Sequence, residues 1–217
     1  MGFAFTEAEK FGVMELRVDE IAERLSSFFE RHWLAIFNAG FGMYVALALL
    51  APILMHLGHP KAAGWIYTLY HPLCHQLPER SYFLFGRDHL LKVYSLSQLN
   101  DLGYLRNSSI LARKYFVGNA SIGYKMAFCQ RCFAIYTTFF LSGIAFGITG
   151  RRWKRLSFKA YLLFILPMGI DGGLQLIGLH ESSWMLRTIT GVAFALATVW
   201  LTYPVLHEGT MEREERR

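Results

Sequence analysis

The chain has 217 residues, of which 53 % are hydrophobic and 18 % charged, with a formal net charge of +6. The apolar residues are bunched into windows long enough to cross a hydrocarbon core, about 20 helical residues each, which points to a polytopic membrane protein. The basic residues sit beside those windows and form no tract of their own, which argues against nucleic acid, and three cysteines are too few for a disulfide-stapled secreted domain.

Residues 1–33 read as an amphipathic helix outside the membrane. Thr6 with Glu9 suits a capping box, and Met14, Val18, Ile21, Leu25 and Phe28 recur at spacings of four and three on one face. Seven acidic against four basic residues between Glu7 and Arg31 make the other face a poor anchor for anionic lipid. The apolar face is expected to pack on the protein's own cytoplasmic side or to dock a protein partner. No secretory leader is read in this segment, which is too long and too acidic before the first apolar window.

The membrane domain is expected over 34–206, with a charged tail at 207–217. Its first span is 36–57, headed by Trp33 as an interface anchor, with Gly40 and Gly42 allowing a close neighbour and Pro52 a kink. Residues 62–77 are apolar and aromatic but too short to cross, and Pro72 and Pro78 interrupt them, so a re-entrant or interfacial segment is predicted. Residues 80–125 form an outer cap loop, with short helices predicted at Leu96–Leu105 and Leu111–Val117 and turns at Gly118-Asn119 and Gly123. Three further spans follow at 127–148, 158–179 and 185–206. The predicted fold is thus an all-α bundle of about four transmembrane helices, a re-entrant helix and an N-terminal amphipathic helix.

Eleven basic residues, in the N-terminal flank, the Arg151–Lys159 region and the tail, fall on one side of a four-span arrangement. The positive-inside rule then puts both termini in the cytoplasm and the cysteines outside, in the cell membrane. Intramembrane ionisable groups are costly and tend to pair, so Asp171 and Arg187 are expected to pair across the short turn between the last two spans. Gln175 lies one turn from Asp171 on the same face.

The chemistry concentrates at Cys129-Gln130-Arg131-Cys132, which heads a span, and at His71-Pro72-Leu73-Cys74-His75-Gln76. Should the two segments meet, two chemistries fit. Cys74, His75, Cys129 and Cys132, with His71 as a substitute, supply the four soft and borderline ligands that zinc, or iron, takes in a closed site. Alternatively, a C-x-x-C pair at the head of a membrane helix suits quinone-linked thiol–disulfide exchange, with Cys74 as the shuttle thiol. That layout normally carries a second cysteine pair, and the shortfall favours metal. A blander reading leaves isolated thiols and interface histidines. Arg131 would offset thiolate charge, and Gln76, Arg80, Arg131, Asp171, Gln175 and Arg187 make up a polar cluster beside the thiols. No Walker loop, haem-attachment motif or paired catalytic carboxylate is present.

CHQLPERSYFLFG (Cys74 to Gly86), FCQRCFAIY (Phe128 to Tyr136), Asp171 with Gln175, and Arg187 with Thr190-Gly191 together resemble an uncharacterised family of small bacterial and archaeal membrane proteins. Its pattern runs Cys-His-Gln, a serine-aromatic run, Cys-x-Arg-Cys-x-x-Ile-Tyr, then Asp, Gln and Arg. Many members join the two cysteine motifs by a shorter connection, so residues 87–125 look like an insertion. The resemblance implies a multi-pass membrane protein without an assigned activity. On these grounds the expected function is a membrane protein with a Cys/His metal site beside a polar cluster; a quinone-linked oxidoreductase and an accessory subunit of a membrane complex are the alternatives.

Overall fold

The computed structural model describes residues 7–106 and 108–216, with side chains from Arg17 onward apart from Glu214. The expected Thr6 and Glu9 capping box and the Met14 side chain lie outside that description. Seven α-helices and four strands follow in order: α1 Glu7–His56, α2 Pro60–Tyr70, β1 Ser81–Gly86, β2 His89–Lys92, α3 Leu96–Asp101, α4 Ile110–Tyr115, β3 Gly118–Asn119, β4 Gly123–Cys129, α5 Gln130–Ile148, α6 Phe158–Leu176 and α7 Trp184–Glu215, with a short 3-10 turn at Pro78–Arg80 before β1.

The amphipathic segment and the first apolar window form one helix of 50 residues, unbroken at Pro52. Its N-terminal part does not pack back on the protein: Val18, Ile21, Leu25 and Phe28 are all more than half exposed. Close packing begins at Trp33, which meets Phe146 of α5 and Tyr203 of α7 edge-on or tilted, with ring centroids 5.2–6.3 Å apart. Further along, Phe140 lies against Gly42, as expected of a small residue at a helix crossing, while Gly40 faces open space.

Past Tyr44, α1 outruns α5 and acquires a different cover. A turn through Gly58, in the left-handed region at φ 79°, reverses the chain into α2, whose Pro60 occupies the first helical turn. α2 then runs back down α1. Ala48 and Ala51 meet Ala63 and Tyr67 with no exposed surface at any of the three alanines. At the end of α2, the Tyr70 hydroxyl donates to the Tyr44 carbonyl at 2.5 Å. The expected short non-crossing segment at 62–77 is therefore an 11-residue helix followed by an irregular stretch that carries Cys74.

The all-α expectation is corrected between residues 81 and 129. Here the chain forms an antiparallel sheet of order β2-β1-β4-β3, with Ser81 opposite Cys129 and Phe83 opposite Lys125. The expected short helices are present as α3 and α4, each capped by a serine side chain, but they cover a sheet. Phe83, Tyr94, Leu99, Leu105 and Ile122 fill the space on that side, and Ala127 and Phe128 pack into the α1–α2 core. Buried on both faces, β4 is apolar apart from Lys125, the pattern of a covered strand. The second span accordingly begins at Gln130, not at Ala127.

By length and composition, three helices among the described residues can cross a membrane: α1, α5 and α7. α6 is as long as α5, 19 residues. Lys159, Asp171 and Gln175 interrupt its apolar sequence, and it is not among those three. All four helices nonetheless run between the same two ends. α5 leads from the cysteines to the Trp33 cluster, and α6 returns until Asp171 meets Arg131. α7 descends again to Tyr203. Beyond that cluster α1 and α7 project together, joined by Glu30 and Arg213 at 3.4 Å.

Candidate metal centre

Three devices deliver the thiols to one point. The stretch after α2 is tied down by its backbone: the Cys74 N–H donates to the Tyr70 carbonyl at 2.9 Å. Two residues on, Gln76 adopts φ 50°, a left-handed conformation a non-glycine residue takes only under constraint. The constraint is visible. Gln76 has no exposed surface, and its side-chain amide donates to the Tyr67 carbonyl at 3.0 Å. Its own carbonyl accepts from the Lys125 ammonium at 2.7 Å.

The third device is the junction of β4 and α5. Cys129 ends the strand and serves as the N-cap of the helix, its sulfur accepting from the Cys132 N–H at 3.4 Å. The Cys129 N–H in turn donates to the Cys74 sulfur at 3.2 Å. The sulfurs of Cys74, Cys129 and Cys132 all lie within 4.8 Å of one another. All three cysteines are free, Cys74 and Cys129 buried and Cys132 partly so. A tetrahedral zinc–thiolate centre, with bonds of about 2.3 Å, needs sulfurs about 3.8 Å apart, so the spread suits one ion.

The electrostatics favour a thiolate. Hydrogen bonds from the Cys129 and Cys132 thiols hold Cys74 well below the ordinary thiol range; Cys129 is pushed up in turn, the hydrogen bond with Cys132 being outweighed by that with Cys74 and by burial. Lys125 is close by and fully buried, its ammonium held by two carbonyls, Gln76 at 2.7 Å and Lys114 at 2.6 Å. Burial pulls its pKa down to about 7, and the neighbouring Cys74 sulfur works in the opposite direction.

The histidines do not join the thiols. His75 is exposed, and its Nδ1 accepts from the Leu77 N–H at 3.1 Å, turning the ring towards its own loop. His71 lies edge-on to Tyr115, 4.7 Å between centroids. Neither belongs to the group of ligand atoms around the sulfurs.

The polar cluster divides in two, and its pairing differs from expectation. Asp171, 4 % exposed, is bound by Arg131 and by the Ser182 hydroxyl at 2.9 Å, so its partner is not Arg187. The reason is geometric: Arg131 stands in the first turn of α5, beside the last turns of α6. Arg187 instead donates to the Gln130 side chain at 3.1 Å, and Gln130 donates to the Ser81 carbonyl at 3.3 Å. With its amide turned so that the carbonyl faces the guanidinium groups, Gln175 accepts from Arg187 at 3.0 Å and from Arg80 at 3.3 Å. Gln76 belongs to the thiol loop, not to this cluster. Above Arg80 and Arg187 opens a cleft of about 360 Å³, also lined by Tyr94, Ser95, Ser182 and Trp184.

Lys125, Gln130 and Ser182 are the residues of this region that the sequence reading omitted. Lys125 had a visible signal, being the one charge in the apolar run Gly123–Cys129. Gln130 and Ser182 had none.

Residues 120–201 match the model of a protein family described as "Predicted membrane protein (DUF2085)". The chain is also similar to an uncharacterised protein of the archaeon Methanocaldococcus jannaschii, 28 % identical over 187 residues that cover 82 % of this chain and 95 % of that protein. No solved structure matches it. The two sequence matches support the likeness to an uncharacterised family of membrane proteins read from the cysteine motifs. The family span contains Cys129, Arg131, Cys132, Asp171, Gln175 and Arg187, and Cys74 precedes it.

Proposed function

We propose that this membrane protein binds one soft metal ion, zinc or iron, through Cys74, Cys129 and Cys132. The observation that carries the reading is the meeting of three free sulfurs from two segments 55 residues apart. Cys74 is already polarised towards the thiolate that ligation requires. Lys125, while protonated, offsets part of the thiolate charge. Three protein ligands leave a coordination position open to water or to an incoming donor, as in zinc sites that act on a ligand. Metal analysis of protein purified in detergent should find near one ion per chain, lost in Cys132→Ser and in Cys74→Ser. Metal-free protein with three titratable thiols would sink the reading.

A second chemistry is favoured by the same low-pKa sulfur. Cys74 lies within reach of both members of a C-x-x-C pair, the arrangement needed for thiol–disulfide exchange. Oxidation of two thiols to a disulfide would pass two electrons and two protons to a quinone. Thiol titration without reductant separates the two readings: a Cys129–Cys132 disulfide with one remaining thiol marks the redox protein.

For topology, we read α6 as the fourth span, both termini as cytoplasmic and the thiols as facing the outer side of the cell membrane. Support comes from the parity of four helices running end to end and from the basic residues beside the Trp33 end.

A further inference from the structure

The other buried charges of this bundle have evident partners. Asp171 is met by Arg131, Glu79 by Arg113 at 2.8 Å, and Lys125 by two carbonyls. Arg187 and Arg80 stand apart. Arg187 is only 7 % exposed, and among the described residues no carboxylate lies within ion-pair distance of either guanidinium. Their side-chain partners are neutral: both share the Gln175 carbonyl, and Arg187 also donates to Gln130 Oε1 at 3.1 Å. The Nε of Arg187 is buried with no acceptor at all.

Both arginines line the 360 Å³ cleft, and so does the start of α7, where Ser183 caps the Leu186 N–H at 3.2 Å. A helix of 32 residues therefore presents its positive end to the same space as two unpaired guanidinium groups. Nearby acids do not neutralise it. Asp171 and Glu79 are taken by the arginines named above, and Glu181 stands exposed at the rim. Tyr94 and Trp184 add aromatic walls, and the volume is that of a small-molecule site.

We propose that this cleft is an oxyanion-binding site, with Arg80 and Arg187 clamping a phosphate group from a small metabolite or a lipid headgroup. Guanidinium forks match phosphate oxygens, and an anion here removes the charge imbalance that the protein alone leaves. The site is distinct from the thiols and does not rest on the metal reading.

The test uses the full chain in an uncharged maltoside detergent. Inorganic phosphate, titrated against chloride at matched ionic strength, should raise the melting temperature saturably. Arg80→Gln should weaken the apparent affinity about tenfold or more, the effect of losing a charge-assisted hydrogen bond. Val93→Trp, which fills the cleft and leaves both arginines in place, should abolish the shift even if an Arg187 variant fails to fold. Cys132→Ser should keep it, which separates failure of this site from failure of the metal centre. Adding phosphatidylglycerol to the micelles then identifies the source: displacement of phosphate supports a lipid headgroup, and undiminished phosphate binding supports a soluble ligand. Wild-type protein that shows no phosphate-specific shift, or an equal shift in Arg80→Gln and Val93→Trp, overturns the proposal.

Discussion

Lys125 has no exposed surface, sits opposite Phe83 in the sheet and bonds to both the thiol loop and the end of α4. Its lowered pKa of about 7 fixes a sign. Between that value and lysine's ordinary 10.5 the unfolded chain keeps a proton that the folded protein releases, so stability rises with pH across the window. Thermal unfolding from pH 6 to 10 should show this slope in the wild type, and Lys125→Met should flatten it. The Arg131 to Asp171 pair makes a second prediction at this scale. Arg131→Met strands a carboxylate that is 3 % exposed, at a cost of about 3–5 kcal/mol, whereas Asp171→Asn keeps an acceptor and should cost less. Denaturant unfolding in mixed micelles measures both. Part of this was legible in the sequence. Asp171 and Arg187 were recognisable as buried charges in need of partners, but several arginines lay within reach and only position in space chose among them.

At the scale of elements, small residues set how closely helices approach. A Cβ added at Gly143 of α5 would fall on the Oδ1 of Asn38 in α1, and one at Gly42 would lie 2.8 Å from the Phe140 ring. Gly143→Leu should therefore separate α1 from α5 and lower the melting temperature markedly, whereas Gly40→Leu, facing open space, should have little effect. The helices were readable because an apolar stretch of about 20 residues has few alternatives. The strands were not. Met126-Ala127-Phe128-Cys129 is an apolar run of a few residues continuous with the next helix, and periodicity cannot tell a buried strand from a helical turn at that length. Ser81-Tyr82-Phe83-Leu84-Phe85, rich in aromatic residues, carried a strand preference within the expected outer cap loop. The consequence is functional, since pairing of β1 with β4 brings the segment after Cys74 beside Cys129.

For the whole molecule, the ends of the bundle differ sharply. One carries the thiols, the sheet and the anion cleft; the other carries the projecting helices α1 and α7 and most of the basic residues beside the spans. If α6 spans, reporters fused to either terminus should report the same compartment, and a membrane-impermeant thiol reagent applied outside should label Cys132, the least buried of the three, in metal-stripped protein. Labelling only from the cytoplasmic side would reverse the orientation and remove the quinone-linked oxidative reading with it.

The sequence by itself determined that this is a membrane protein of several helices, and it singled out three cysteines and a set of intramembrane charges as its chemistry. Those properties follow from hydrophobic length and from the cost of burying polar groups, both local to a segment. Which atoms meet was decided by tertiary structure alone. A helix folded back on α1, a strand ending in an N-cap cysteine and a buried lysine set the sulfurs together, left both histidines aside and gave Asp171 to Arg131. Such pairings depend on contacts between segments far apart in the chain, and no local pattern encodes them.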